Sequence, residues 1–153
     1  MNKINKILYF ILSVGFFTIL DLYFSELLIS SEFSIPKNNI LSLIYVQNSG
    51  AAFSLLENFP LVLIIFAIIA IAIIIIYGIK NIEKFSTFAC FWAAILVSGI
   101  GCNLYERLNY GYVRDFFNME FIDFPIFNIS DIFINIGVIA LIVLIIKNKY
   151  LKK

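Results

Sequence analysis

The sequence predicts an all-α integral membrane protein: four transmembrane helices with a small extracytoplasmic β-element. Three observations carry that expectation. Of 153 residues, 62 % are hydrophobic and only 14 % are charged, with a mean hydropathy of +1.00, which places the chain outside the range of soluble globular domains. The apolar residues gather into four runs, each close to the ~20 residues that cross a ~30 Å hydrocarbon core. Lysine and arginine then fall mainly on one side of those runs.

In chain order, the spans are expected at roughly 7–28, 59–79, 85–106 and 124–146, within one membrane domain covering 1–153. Ile7 to Ser25 carries Asp21 as its one charge, Phe59 to Ile79 and Phe85 to Tyr105 carry none, and Phe124 to Ile146 carries Asp131. The basic start followed by an apolar run looks like a secretory leader. No small-residue cleavage site follows Leu20, and three further spans come after it, so it reads as a retained first helix. The turn at 80–84 is minimal, whereas 29–58 and 107–123 are long enough to build structure. Ile40 to Val46 is a β-branched and apolar run interrupted by Ser42, Asn48-Ser49-Gly50 reads as a turn, and Ala51-Ala52-Phe53-Ser54 follows. That pattern predicts a small β-structure on the membrane surface, with Asp115 on an irregular segment beside Gly111.

Charge placement predicts the orientation. Lys3, Lys6, Lys80, Lys84, Lys147, Lys149, Lys152 and Lys153 lie on one side, against Lys37, Arg107 and Arg114 on the other. The positive-inside rule then puts both termini in the cytoplasm. Basic residues so few and so close to the membrane imply no nucleic-acid partner. Cys90 and Cys102 lie on one expected helix, roughly 18 Å apart at ~1.5 Å per residue, too far for a disulfide. With no histidine and no paired cysteines, no metal site is expected.

The informative residues are two carboxylates. Asp115 sits in Val113-Arg114-Asp115-Phe116 and Asp131 in Phe127-Asn128-Ile129-Ser130-Asp131. Acids at a membrane boundary are costly to retain and default to a functional reading. Two of them without histidine point to aspartic-type acid–base chemistry, in which close like charges share one proton. Counting back from Lys6 and Lys147 places Asp21 and Asp131 roughly 23 Å above the inner boundary. Asn103, Glu106 and Arg107 share a helix face at a similar level, as do Asn128, Asp131 and Asn135. Plainer readings exist for each. Asp131 suits a helix N-terminus and Asp115 a solvated loop. Arg107 could be an interfacial arginine paired with Glu106 or Asp115, Asn48 and Gly50 could be turn chemistry alone, and Trp92 and Tyr105 suit a lipid-facing or interfacial position. The Asn128-Ile129-Ser130 sequon lies at a helix start in the membrane and is set aside.

Taken together, Asp21, Asn48-Ser49-Gly50-Ala51-Ala52-Phe53-Ser54, Gly99-Ile100-Gly101-Cys102-Asn103-Leu104-Tyr105-Glu106-Arg107-Leu108, Val113-Arg114-Asp115-Phe116 and Phe127-Asn128-Ile129-Ser130-Asp131 resemble the motifs of the bacterial lipoprotein signal peptidases (signal peptidase II), in order and across nearly the whole chain. The resemblance implies an aspartic endopeptidase that removes the signal peptide of a diacylglyceryl-modified prolipoprotein before the lipidated cysteine. It implies action at the outer face of the inner membrane without a cofactor. Matched by position, Asp115 and Asp131 would be the catalytic dyad. Asn48, Gly50, Asn103, Arg107 and Asn128 would shape the site, with Asp21 in a more structural role and the β-element cradling substrate. Implied partners are lipid-modified prolipoproteins and membrane lipids, with a monomeric enzyme. The chain departs from the family at Ser25 (usually lysine), Cys102 (glycine), Glu106 (aspartate) and Ser130 (alanine); none touches the dyad, and what the departures do to efficiency and substrate preference stays open.

Other classes fit less well. A small proton-coupled transporter would place its acids near the midplane on broken helices, and a non-catalytic assembly protein or diverged paralogue needs no acid pair. A serine–lysine peptidase lacks a lysine near any suitable serine.

Overall fold

In a computed structural model, which describes residues 1–30, 39–51 and 55–147, the order is α1 (Lys3–Ile29), β1 (Leu41–Asn48), α2 (Pro60–Lys80), α3 (Thr87–Tyr110), β2 (Val113–Met119) and α4 (Ile129–Ile146). All four helices are long and apolar enough to cross a membrane. Lys37, Ala52-Phe53-Ser54, and Lys149, Lys152 and Lys153 lie outside the described residues.

Local signals set the helix ends. Asn2 caps α1, its side chain accepting from Asn5 N at 2.8 Å, so the helix starts ahead of residue 7. Pro60 opens α2, where its missing N–H leaves no bond unmade. Ser86 caps α3 by accepting from Ala89 N at 3.1 Å. Gly111 closes α3 in the left-handed region at φ 82°, with its N–H on Arg107 O.

Helix α3 forms the centre, packing against α1, α2 and α4, while α2 buries none of its residues and turns its isoleucines outward. Composition explains the difference. Buried positions on α3 include Ala89, Ala93, Ala94, Ser98 and Gly99, small enough for neighbouring helices to approach closely. At Gly99 the approach is tight: a Cβ there would lie 2.5 Å from the backbone oxygen of Ser130 on α4. At the end of the bundle near the N-terminus, the Lys6 ammonium is only 3 % exposed and donates to the carbonyls of Ile82, Glu83 and Phe85, tying α1 to the α2–α3 turn. Trp92 is half-buried between Phe88 and Phe91, each met edge-on, whereas Tyr105 is exposed.

The expected β-element is present, but its second strand comes from a segment with no strand pattern. β1 pairs antiparallel with β2, with Leu41 opposite Met119, Val46 opposite Asp115 and Asn48 opposite Val113, and the register shifts between Leu43 and Val46. Asp115 therefore stands on a strand, not on an irregular segment. The ladder to β1, distant in sequence, overrides the charged Arg114-Asp115 step. Likewise α4 starts at Ile129 rather than 124. Pro125 biases Phe124 away from helix, and Phe127 pairs with Phe117 through N–H···O bonds of 2.9 and 3.1 Å.

Candidate active site

Asp115 and Asp131 reach the site from different elements, and local pairing brings those elements together. Alternation along β1 puts Asn48 on the same face as Val46, diagonal to Asp115, and Asn48 Nδ2 donates to Asp115 Oδ2 at 2.9 Å. The Phe117–Phe127 bridge holds the start of α4 against β2, so Asn128 follows directly beside Asp115. Asn128 Nδ2 donates to Asp115 Oδ1 at 2.9 Å and to Asn103 Oδ1 at 3.0 Å. Asn103 Nδ2 in turn donates to Asp131 Oδ1 at 2.8 Å. Asn128 also forms a reciprocal cap with Asp131: Asn128 Oδ1 accepts from Asp131 N at 2.8 Å, and Asp131 Oδ2 accepts from Asn128 N at 3.2 Å.

Each asparagine here uses both ends of its amide, which fixes its orientation. Arg107 joins the cluster by donating from NH2 to Gly50 O at 2.9 Å and from NH1 to Asn103 O at 3.3 Å. Gly50 N donates to Asn48 Oδ1 at 3.0 Å, completing the turn expected at 48–50. Thus Asn48, Gly50, Asn103, Arg107 and Asn128 all meet the two acids in one hydrogen-bonded group. Asp21 stands apart, accepting from Ser130 Oγ at 2.7 Å beneath Asp131 and adjoining Cys102. Asn135 is exposed and, among the described residues, bonds to Asp131 O and not to the group.

Asp115 is 2 % exposed, and burial pushes its carboxyl up to about 7. The amide of Asn48 and the Arg107 guanidinium oppose that rise; the Asp131 and Glu106 carboxylates add to it. An acid poised there exchanges protons at neutral pH. Asp115 also lines a cavity of about 270 Å³ bordered by Gln47, Asn48, Glu57 and Asp123, whereas Asp131 is not among the residues lining it.

One group was not legible in the sequence. Arg114 pairs with Glu106 and Glu26, so Glu106 has Arg114 rather than Arg107 as its ion-pair partner. Eight residues separate Glu106 from Arg114 across a helix end and a turn, so no helical or strand periodicity links them.

The family model described as signal peptidase (SPase) II matches residues 13–147. The chain belongs to the signal peptidase II family. It is 37 % identical over 110 residues to the lipoprotein signal peptidase of Streptococcus thermophilus (strain CNRZ 1066), covering 72 % of this chain and 71 % of that protein. It is 40 % identical over 111 residues to the lipoprotein signal peptidase of Caldicellulosiruptor bescii, covering 71 % and 69 %. Among solved structures, a bacterial membrane enzyme determined by the in meso method at 2.3 Å resolution superposes with a TM-score of 0.81 at 27 % identity, over 94 % of this chain and 93 % of that one. Signal peptidase II membership and four membrane-length helices make this a bacterial membrane peptidase.

Proposed function

We propose that this signal peptidase II family member is an aspartic endopeptidase. It would remove the signal peptide from diacylglyceryl-modified prolipoproteins, cutting before the lipidated cysteine, with Asp115 and Asp131 as the catalytic residues. The observation that carries the reading is the chain of amides that joins the two carboxyls, Asn128 on Asp115 and Asn103 on Asp131 with Asn128 donating to Asn103, beside an Asp115 raised to about 7. The names of its relatives supply the substrate class.

In this mechanism the pair holds one proton. We assign that proton to Asp115, which burial first and the neighbouring Asp131 carboxylate after it raise to about 7. Asp131, ionised, takes a proton from water as it attacks the scissile carbonyl. Asp115 protonates the carbonyl oxygen, the proton gathered by Asp131 goes to the leaving nitrogen as the C–N bond breaks, and the collapsing diol returns a hydroxyl proton to Asp115. Asn103 and Asn128 hold the two carboxyls in place, and Arg107 bears on Asp115 electrostatically while bracing the Gly50 turn. Asp21 has a structural part, fixing Ser130 next to Asp131.

The chain would act as a single domain and a monomer, with both termini in the cytoplasm and the sheet and acids at the outer face of the inner membrane. The distribution of eight lysines against three basic residues supports that orientation. Lipid would surround the exposed isoleucines of α2 and α4. The test uses purified protein in lipid, offered a prolipoprotein with and without its diacylglyceryl group. The expected result is cleavage before the lipidated cysteine of the modified form alone. Failure to cut the modified form, or equal cutting of both, would overturn the proposal.

A further inference from the structure

Arg114 precedes Asp115 on β2, and alternation along a strand sends its side chain to the opposite face. There it is 6 % exposed and held from several directions. Its backbone N–H donates to Glu106 Oε2 at 2.7 Å and its Nε to Glu106 Oε1 at 2.7 Å, with NH2 in ion-pair contact at 2.6 Å from the same oxygen. Its NH1 donates to Glu26 Oε1 at 2.8 Å, at the sheet end of α1. The guanidinium also lies over the Tyr110 ring, 4.9 Å from its centroid. One residue thus joins β2 to α1 and α3, and both its backbone and its side chain are gripped by a single carboxylate.

We propose that Arg114 is a positioning residue, and that the Glu106–Arg114–Glu26 clamp sets where the neighbouring Asp115 carboxyl stands relative to Asp131. The inference rests on the aspartic reading above. Its logic is geometric. On the other face, the Asp115 carboxyl is held by side-chain amides alone, Asn48 and Asn128, which orient the carboxyl but do not tie the β2 backbone to α3. The clamp is what fixes the backbone of β2, at the residue before Asp115, to the central helix. Glu106 is 3 % exposed and has both oxygens occupied by Arg114, so the pair is desolvated and rigid rather than a solvated surface contact. The fork of arginine is needed: a lysine has one nitrogen and could not reach Glu106 and Glu26 in the same way.

The experiment compares Arg114→Gln, Arg114→Lys and the double variant Glu106→Gln/Arg114→Leu with the parent and with Asp115→Asn. Cleavage kinetics on a diacylglyceryl-modified prolipoprotein and thermal unfolding in lipid are measured for each. A misplaced reacting group costs on the order of 100-fold, so Arg114→Gln should lose about that factor in kcat. Its KM should stay within about twofold, because substrate binding is not touched. Arg114→Lys should recover part of kcat. The double variant removes both charges together, and the introduced glutamine still offers an amide oxygen to the backbone N–H at position 114. It should therefore unfold near the parental temperature, yet still lose about tenfold or more in kcat. Parental kcat in the folded double variant, with Asp115→Asn inactive, would overturn the positioning role alone. Cleavage by Asp115→Asn at the parental rate would overturn the aspartic reading, and the clamp's purpose with it.

Discussion

Asp115 and Asp131 are bridged by one side chain: the Asn128 amide donates to Asp115 Oδ1 at 2.9 Å and accepts from Asp131 N at 2.8 Å. The cap that starts α4 and the link between the two acids are therefore the same residue. Helix formation in α4 sets the position of Asp131, and the strand bridge at Phe127 sets that of Asn128.

This double role separates under substitution. Asn128→Ser keeps a capping oxygen and loses the donor to Asp115, whereas Asn128→Ala loses both. Stability should fall by about 1 kcal/mol for the alanine variant and by a few tenths for serine. Both should lose activity, by roughly 10-fold to 100-fold, because both free the Asp115 carboxyl. Thermal unfolding and cleavage rates, measured side by side, check the separation.

The pH dependence has a defined sign. Asp115 is raised to about 7, so its proton is lost, and the one-proton pair with it, as pH rises through that value. The rate kcat/KM should fall over the same range. Arg107 opposes the rise of Asp115, so Arg107→Met should move the alkaline limb to higher pH. A pH–rate profile of the two proteins measures the shift. Stability follows the same group: a raised carboxyl stabilises the fold fully below its unfolded value near 3.8 and loses that contribution as pH climbs to about 7. Asp115→Asn should accordingly unfold at a higher temperature than the parent at a pH of about 8.

Close packing of α3 on α4 makes a contrasting pair of glycines. Gly99→Ala brings a Cβ within 2.5 Å of Ser130 O, a backbone atom that cannot swing away, whereas Gly101 has open space around it. Overpacking of this kind costs about 1–3 kcal/mol, and here it also displaces the residue before Asp131. Gly99→Ala should lose stability and activity together. Gly101→Ala should match the parent in unfolding temperature and rate.

At the far end of the bundle, Lys6 satisfies three carbonyls of the α2–α3 turn. Lys6→Met leaves buried carbonyl groups unpaired, costing about 1–3 kcal/mol. Because the acids lie at the other end of the helices, kcat should not change. Denaturation in lipid and a cleavage assay test both halves.

Lys6 also shows where sequence reasoning stops. As one of eight lysines on one side it helped to orient the chain, but its burial depends on where the α2–α3 turn folds back, which no local pattern reveals. The four helices were legible because long apolar runs have few other fates. β1 was legible through Ile40 to Val46, but β2 was not: Arg114-Asp115 reads as a loop until a strand far back in the chain pairs with it. Asn48, Gly50, Asn103, Arg107 and Asn128 were found through the family's motifs. Only the folded chain brings them together, with Asn103 and Asn128 each spending both ends of an amide. Ser130, noted only as a departure from the family, bonds to Asp21, and Glu106, weighed as a partner of Arg107, bonds to Arg114.

The aspartic mechanism depends on the acid pair, which Asp115→Asn and Asp131→Asn remove one at a time. Each amide keeps the shape of the acid and cannot exchange a proton with water or substrate. With both variants folded in lipid and given diacylglyceryl-modified prolipoprotein, each should lose at least ~10³-fold in cleavage rate. Parental cleavage by either folded variant would contradict the aspartic mechanism.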